Sequence, residues 1–325
     1  MEIKKVSKEE FQTLMSVMNQ SFKTSKDSSF EKILPKLYYP TNNNMIHYAV
    51  YENQKMVASV GLYPMTLISE NKTLNAVCLG GIGTLPEHRL KGYFKALMEK
   101  AIDVCKNSNY DLIFLNGKRQ RYNNFGFENA GRKMVVTLSY KKKSLLQSKT
   151  YEVKPLVKED KEMIKACLDI YNLQPQRMLR TEDNFYDHVV TWGCKPYVVK
   201  VGNKVVAYFS AKRDHIIFEI GYLKGYRDTL LNSILGDKPF VAIYMPISEY
   251  DDDLFSKIEN YNIKNCCMYK ILNWNNVATF LNFNQDYLKE FDNLSEMEKT
   301  RYGLGNELFE SRYGKSIYIS LCDEG

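Results

Sequence analysis

The stretch from Gly80 to Lys106 limits the folds open to this chain more than any other. It reads as a strand ending at Thr84, a stop at Pro86, a basic loop through His88, Arg89 and Lys91 to Gly92, and then a helix. Apolar residues at 97, 98, 101, 102 and 105 share one helical face, and Asn107-Ser108-Asn109 ends it. The first turn of such a helix offers unpaired N–H groups and the positive end of the helix dipole, which together seat a pyrophosphate. Gly92 lets a phosphate approach backbone that a Cβ would screen, and Arg89 and Lys91 add charge. The chain has no Gly-Lys-Ser/Thr of a P-loop. The pair Gly81-x-Gly83 meets Pro86 where a dinucleotide fingerprint wants its third glycine. A diphosphate of another kind is expected.

The chain also repeats itself. Glu2-Ile3-Lys4-Lys5-Val6-Ser7-Lys8-Glu9-Glu10 returns as Glu152-Val153-Lys154-Pro155-Leu156-Val157-Lys158-Glu159-Asp160, and Leu90-Lys91-Gly92-Tyr93 returns as Leu223-Lys224-Gly225-Tyr226. The two matches keep their order, which implies two related domains meeting near the polar run 141–150. The expected spans are 1–145 for a first domain, 150–274 for a second and 275–325 for a short C-terminal appendix.

Within the first copy, Ser7 with Glu10 fits a capping box ahead of a helix with Phe11, Leu14, Met15, Met18 and Phe22 on one face. A second short helix is interrupted at Pro35. Hairpins are expected around Asn53-Gln54 and Asn71, with a buried strand at Leu112–Leu115, a short helix at Arg119–Phe125 and a closing strand at Met134–Tyr140. This order predicts mixed α+β domains with mixed central sheets, not a regular βαβ alternation.

Composition narrows the class. The 325 residues are 44% apolar and 26% charged, which excludes a disordered chain. Seven cysteines without CxxC spacing read as buried thiols of a cytoplasmic protein, and four histidines without HExxH predict no metal site. The net charge of +7 is scattered, with neither zinc-finger spacing nor an aromatic-basic run, so no nucleic-acid partner is expected. No stretch is long and apolar enough for a membrane helix, and Met1-Glu2-Ile3-Lys4-Lys5 lacks a signal peptide's apolar core. The oligomeric state stays open.

The segment Pro86-Glu87-His88-Arg89-Leu90-Lys91-Gly92-Tyr93-Phe94 resembles the acyl-CoA loop of the GCN5-related N-acetyltransferase (GNAT) superfamily, Pro-x-x-Arg/Gln-x-x-Gly-x-Gly/Ala. Phe94 departs from the final small residue, as in a tandem-domain branch resembling Eis-type acetyltransferases. The resemblance is strong over 76–130. It implies that acetyl-CoA is the acyl donor, held by Ile82, Gly83, Thr84, Arg89, Leu90, Lys91, Gly92, Tyr93 and Phe94, with Asn116 near the position of a frequent asparagine. It also implies that Tyr122, four residues before Gly126-Phe127, is the general acid, and that Gly325 supplies a terminal carboxylate. By the same resemblance, the appendix stands where a sterol-carrier-like domain would follow.

The chemistry wants these parts. An amine attacking a thioester generates an oxyanion, which N–H groups at Ile82–Thr84 would stabilise. The departing thiolate, pKa about 8.5, takes a proton from a tyrosine of pKa about 10. An alkylammonium of pKa about 10.4 must first be deprotonated, costing ~4.6 kcal/mol at pH 7, so a base or a water chain is needed. The acceptor is expected to be a small-molecule or peptide amine.

Other residues have plainer readings beside the functional ones. Lys118, Arg119 and Arg121 face either phosphates or solvent, and His88 either a phosphate or solvent. Glu128 reads either as a carboxylate base near the site or as an edge-strand surface charge. Glu249–Asp253 either attracts a cationic substrate or caps the following helix, which explains it adequately, and Cys266-Cys267 belongs to a strand. In the second copy Glu219 and Tyr222 stand for Pro86 and Arg89, and no Tyr-x-x-x-Gly-Phe follows, so that copy is expected to be non-catalytic. Two alternatives remain: a CoA-binding regulatory protein without turnover, and an aminoacyl-tRNA-using ligase, against which the intact Arg-x-x-Gly loop argues.

Overall fold

The structure is a computed structural model and describes residues 1–38, 46–283, 289–304, 316–320, 322 and 323. It divides into two compact units, one of Met1–Ala130 with Cys267–Ser316, the other of Gly131–Cys266 with Ile317–Asp323.

The first unit runs β1 (Glu2–Lys5), α1 (Phe11–Phe22), α2 (Phe30–Ile33), α3 (Pro35–Tyr38), β2 (Ile46–Glu52), β3 (Lys55–Ser69), β4 (Lys72–Thr84), α4 (Tyr93–Lys106), β5 (Leu112–Leu115) and α5 (Arg119–Tyr122). β1 to β4 are successive antiparallel neighbours. The β2–β3 turn uses Asn53 and Gln54, both at positive φ (47° and 65°), as a tight hairpin requires. β3 is one strand through Pro64, not broken there as expected; Pro64 lies past the last pair with β2, Ile46↔Leu62. Glu10 accepts from the Ser7 N–H at 2.9 Å, yet α1 begins only at Phe11, so the expected capping box closes a turn ahead of the helix. The predicted face of α4 is buried as Leu97, Met98, Ala101 and Cys105, against Val60, Leu62, Val77, Leu79, Ile113 and Leu115 of the sheet.

The sheet's last strand corrects the sequence reading. Met268–Ile271 pairs antiparallel with Leu112–Leu115, whereas Lys133–Ser139, expected to close this sheet, pairs with Phe240–Pro246 in the other unit. The units are therefore discontinuous, unlike the spans 1–145, 150–274 and 275–325. The described part of the appendix is likewise divided: helices Trp274–Phe280 and Glu296–Leu304 belong to the first unit and Ile317–Asp323 to the second.

The second unit has the same order of elements. Strands Glu152–Pro155, Lys195–Val201, Lys204–Arg213 and Ile216–Tyr222 are antiparallel neighbours, and Ile216↔Ala242 and Ile217↔Ile243 pair in parallel, as β4 and β5 do. Gly225 at φ 83° precedes helix Arg227–Leu235 as Gly92 at φ 81° precedes α4. The sequence repeat is a repeat of architecture.

Candidate active site

β4 carries the site. It pairs in parallel with β5 at Ala76↔Leu112, Val77↔Ile113 and Cys78↔Phe114, and no pairing with β5 is registered from Leu79 to Thr84 among the described residues. On its other side the register jumps from Gly61↔Gly80 to Ser59↔Gly83, so one extra residue bulges between Gly80 and Gly83. The β5-facing N–H and C=O groups of this stretch are thereby left to bind something else.

The glycines here fill structural needs, not a dinucleotide fingerprint. Gly81 sits at φ 57°, and a Cβ there would fall 2.7 Å from Met18 Cε and 3.1 Å from the Tyr38 hydroxyl. A Cβ on Gly83 would fall 2.8 Å from Ser21 Cβ. α1 and α3 can approach the bulge only because both side chains are missing.

Beyond the bulge, Pro86–His88 forms a 3₁₀ turn and Gly92 caps α4 at φ 81°, ψ 4°. A Cβ on Gly92 would meet no protein atom within 4 Å, so the side of the chain that a phosphate would approach is open. Arg89 is exposed, but its guanidinium donates to Ser21 O (2.9 Å) and Thr84 O (3.3 Å), tying the end of α1 to the end of β4. Lys91 Nζ lies 3.1 Å from both Glu52 oxygens, and His88 Nδ1 lies 2.6 Å from Glu52 Oε2. Partial burial pushes the Glu52 carboxyl up, but hydrogen bonds from Lys91 and His88 outweigh it and hold it below the ordinary range. Leu90 is fully exposed at φ 65°.

Tyr122 is buried where α4 and the end of β5 meet. Its ring packs edge-on to Phe94 (centroids 5.7 Å) and Phe127 (6.4 Å), and a Cβ on Gly117 would collide with it. Burial pushes the phenol's pKa up, opposed in part by Arg121, so it keeps its proton at neutral pH. Phe94 is thus accounted for: it also packs on Phe125 at 5.8 Å and walls the tyrosine in. Tyr93 is buried in the same core, and Asn116 is exposed one residue past β5. Gly325 lies outside the described residues.

Glu128 is not a surface charge. It is 5% exposed, and Arg119 grips it with Nη2 at 2.5 Å and Nε at 3.1 Å, with Asn123 Nδ2 donating as well. Of the basic trio, Arg119 is therefore committed within the protein. The tight Tyr-x-x-x-Gly-Phe turn brings Arg119 and Glu128 together, which the spacing alone did not reveal.

His47 on β2 is 6% exposed, and neither ring nitrogen has a hydrogen-bond partner among the described residues. Burial drives its pKa down to about 3, against about 6.5 unfolded. The folded state thus favours neutral imidazole: the stability this gives is complete above pH 6.5 and is lost as pH falls toward 3. Denaturant melts between pH 6.5 and 4.5 should show a loss of about 2–3 kcal/mol from this residue, and His47→Gln should flatten that slope. An unchanged slope would mean that the ring protonates freely.

In the second unit the residue that opens the matching helix has its side chain engaged in ion pairs. Arg227 opens helix Arg227–Leu235 and pairs with Asp251 (2.6 Å) and Asp253 (2.8 Å), while Asp251 also caps helix Asp252–Lys257 through the Leu254 N–H. The acidic run caps its helix, as its position implies.

All seven cysteines are buried, and none is in a disulfide. Among the described residues no His, Cys, Asp or Glu cluster is placed to hold a metal, and no helix is long and apolar enough to cross a membrane.

Residues 2–130 match the family described as Acetyltransferase (GNAT) domain. No curated protein matches the chain by sequence. Among solved structures it is similar to a conserved protein of unknown function from Enterococcus faecalis V583 (TM-score 0.67, 14% identity, 86% of this chain and 74% of that one). It is similar also to Eis1 from Mycobacterium abscessus (0.62, 14%, 86% and 76%) and to a GCN5-related N-acetyltransferase from Anabaena variabilis (0.61, 17%, 84% and 73%). At these identities the likeness is one of fold.

Proposed function

Since residues 2–130 match the GNAT acetyltransferase domain family, we propose that the chain is an acetyl-CoA-dependent N-acetyltransferase that transfers directly to a primary amine of a small molecule or peptide. The observation that carries this reading is the opening of β4 from β5 after Cys78↔Phe114, followed by the Gly92-capped start of α4, on whose Phe94 the buried Tyr122 packs.

The fit to the donor is specific. The N–H groups of α4's first turn have no intrahelical acceptor, and the open side of Gly92 leaves room for two phosphates against them. N–H groups of the β4 bulge not paired with β5 would extend along the opening, where the thioester carbonyl becomes an oxyanion as the amine attacks. When the tetrahedral centre collapses the C–S bond breaks and the thiolate takes the proton of Tyr122. Phe94, Phe127 and Gly117 fix the ring so that little reorientation is needed.

The test is release of free thiol from acetyl-CoA with a panel of amines. Arg89→Ala should raise the KM for acetyl-CoA several-fold, and because the guanidinium also ties Ser21 O to Thr84 O it should cost about 1–3 kcal/mol of stability. Binding of CoA without thiol release from any amine would favour a regulatory protein instead.

A further inference from the structure

Four polar atoms of the first unit stand out on the α1 and α3 side of the sheet. Ser21 Oγ, the Tyr38 hydroxyl and both ring nitrogens of His47 have no hydrogen-bond partner among the described residues. Yet the three side chains are only 9%, 2% and 6% exposed. Buried polar groups in folded proteins are nearly always satisfied, and where protein atoms do not do it, bound water or a ligand does.

The atoms gather on the bulge of β4. The Tyr38 hydroxyl lies 3.1 Å from the Cβ position of Gly81, and Ser21 Oγ lies 3.2 Å from that of Gly83. The Tyr38 and His47 ring centroids are 5.7 Å apart. His47 is paired with Gly61 and Gly61 with Gly80, so the row crossing the sheet from His47 to β4 carries no side chain at its two inner positions. At the other end, Ser21 adjoins Phe22, which is half exposed at the end of α1. Ser59, which shares that face, is already spent on Gly81 O at 3.2 Å.

All three groups are uncharged at neutral pH. Burial keeps the His47 ring neutral, and burial with the nearby Cys78 and Glu31 holds the Tyr38 phenol protonated. Glu31 is engaged by Asn19 (3.1 Å), the Cys78 thiol donates weakly to Leu79 O (3.9 Å), and buried Lys36 lies over the Tyr63 ring. Hydroxyl, phenol and neutral imidazole can each accept and donate, so with water between them they pass a proton without holding a charge.

We propose that Ser21, Tyr38 and His47 position a short chain of water beside the β4 bulge, and that this chain removes the proton which the acceptor's ammonium must lose before transfer. The idea rests on the acetyltransferase reading above. The N–H bond of the ammonium breaks toward the first water, a proton leaves the last water for solvent near the end of α1, and the freed lone pair forms the C–N bond. The C–S bond then breaks, Tyr122 gives its proton to the sulfur, and the second proton of the new C–N nitrogen passes through solvent to the Tyr122 phenolate, leaving a neutral amide and a free thiol. The three are positioning residues.

The test compares wild type with Tyr38→Phe and Ser21→Ala, using an alkylamine and a weakly basic arylamine as acceptors. Neither lost hydroxyl makes a hydrogen bond among the described residues, so thermal midpoints should hold or rise. For the alkylamine, kcat/KM at pH 7 should fall about tenfold or more, with the deficit shrinking as pH approaches the amine's pKa. The arylamine, already a free base, should be affected less than about twofold. Equal losses on both acceptors, a deficit that does not change with pH, or no loss would overturn the proposal. So would a crystal structure of the wild type with no water in hydrogen-bond reach of Tyr38 and His47. Wild type that releases no thiol with any amine sinks the acetyltransferase reading itself; losses seen in an active wild type bear on the water chain alone.

Discussion

Tyr122→Phe should lower kcat by about 10²- to 10³-fold while leaving the affinity for acetyl-CoA and the thermal midpoint near wild type. The substitution keeps every ring contact, to Phe94, Phe127 and the Gly117 backbone, and removes one oxygen. That oxygen has a raised pKa through burial, so it is protonated when a thiolate of pKa about 8.5 departs. Without it, the thiolate leaves unprotonated or waits for water. Steady-state kinetics beside a melting curve separate this from damage to the fold. A variant with wild-type kcat would show that the phenol is only a packing residue.

Arg180→Ala should be the most destabilising single change away from the transfer site, by about 3–5 kcal/mol. Arg180 lies between strand Gln176–Met178 and helix Glu182–Val189 and is 3% exposed. Its guanidinium meets Glu219 Oε1 and Oε2 at 2.7 and 2.6 Å and Asp323 Oδ1 at 2.8 Å, and it lies over the Tyr171 ring at 4.1 Å. His188 reaches the same Asp323 oxygen at 2.9 Å, and the hydroxyls of Tyr208 and Ser320 both reach Glu219. Deleting the cation leaves two carboxylates, each 3% exposed or less, without their main counter-charge. For a chain of this size the loss corresponds to a fall on the order of 10 °C in the thermal midpoint. Converting Arg180 and Glu219 together to apolar residues should recover part of it, since the buried charge itself is then reduced. If Arg180→Ala melted like wild type, water must reach the cluster.

What was legible in the sequence was local. The amphipathic face of α4, the Pro35 break between α2 and α3, the Asn53-Gln54 turn and the Pro86-to-Gly92 loop each depend on residues within one or two turns, and the structure has them as read. The architectural repeat was legible too, because Gly92 and Gly225 answer the same need for positive φ. What stayed hidden depends on partners far away in the chain. Nothing local in Met134–Ser139 says that its neighbour is Phe240–Pro246, nor in Met268–Ile271 that it joins Leu112–Leu115. An apolar strand carries no address. Glu128 looked like a surface charge because its cation, Arg119, becomes a neighbour only when the turn folds. Likewise Glu219 looked like a lost proline, whereas it is one pole of a buried ion cluster. Ser21, Tyr38 and His47 carried no signal at all, since their interest lies in the bonds they do not make.

Titrating acetyl-CoA calorimetrically into wild type, Gly92→Val and Gly225→Val addresses the pyrophosphate seat most directly. Among the described residues both glycines hold the same left-handed backbone with no atom within 4 Å of an added Cβ, but only Gly92 ends the Pro86-x-x-Arg89-x-x-Gly92 loop, where the second copy has Glu219 and Tyr222. One equivalent per chain is expected, weakened about tenfold or more (1.4 kcal/mol) by Gly92→Val and unaltered by Gly225→Val. No heat of binding in wild type, or equal weakening by the two substitutions, would contradict a diphosphate held at the start of α4.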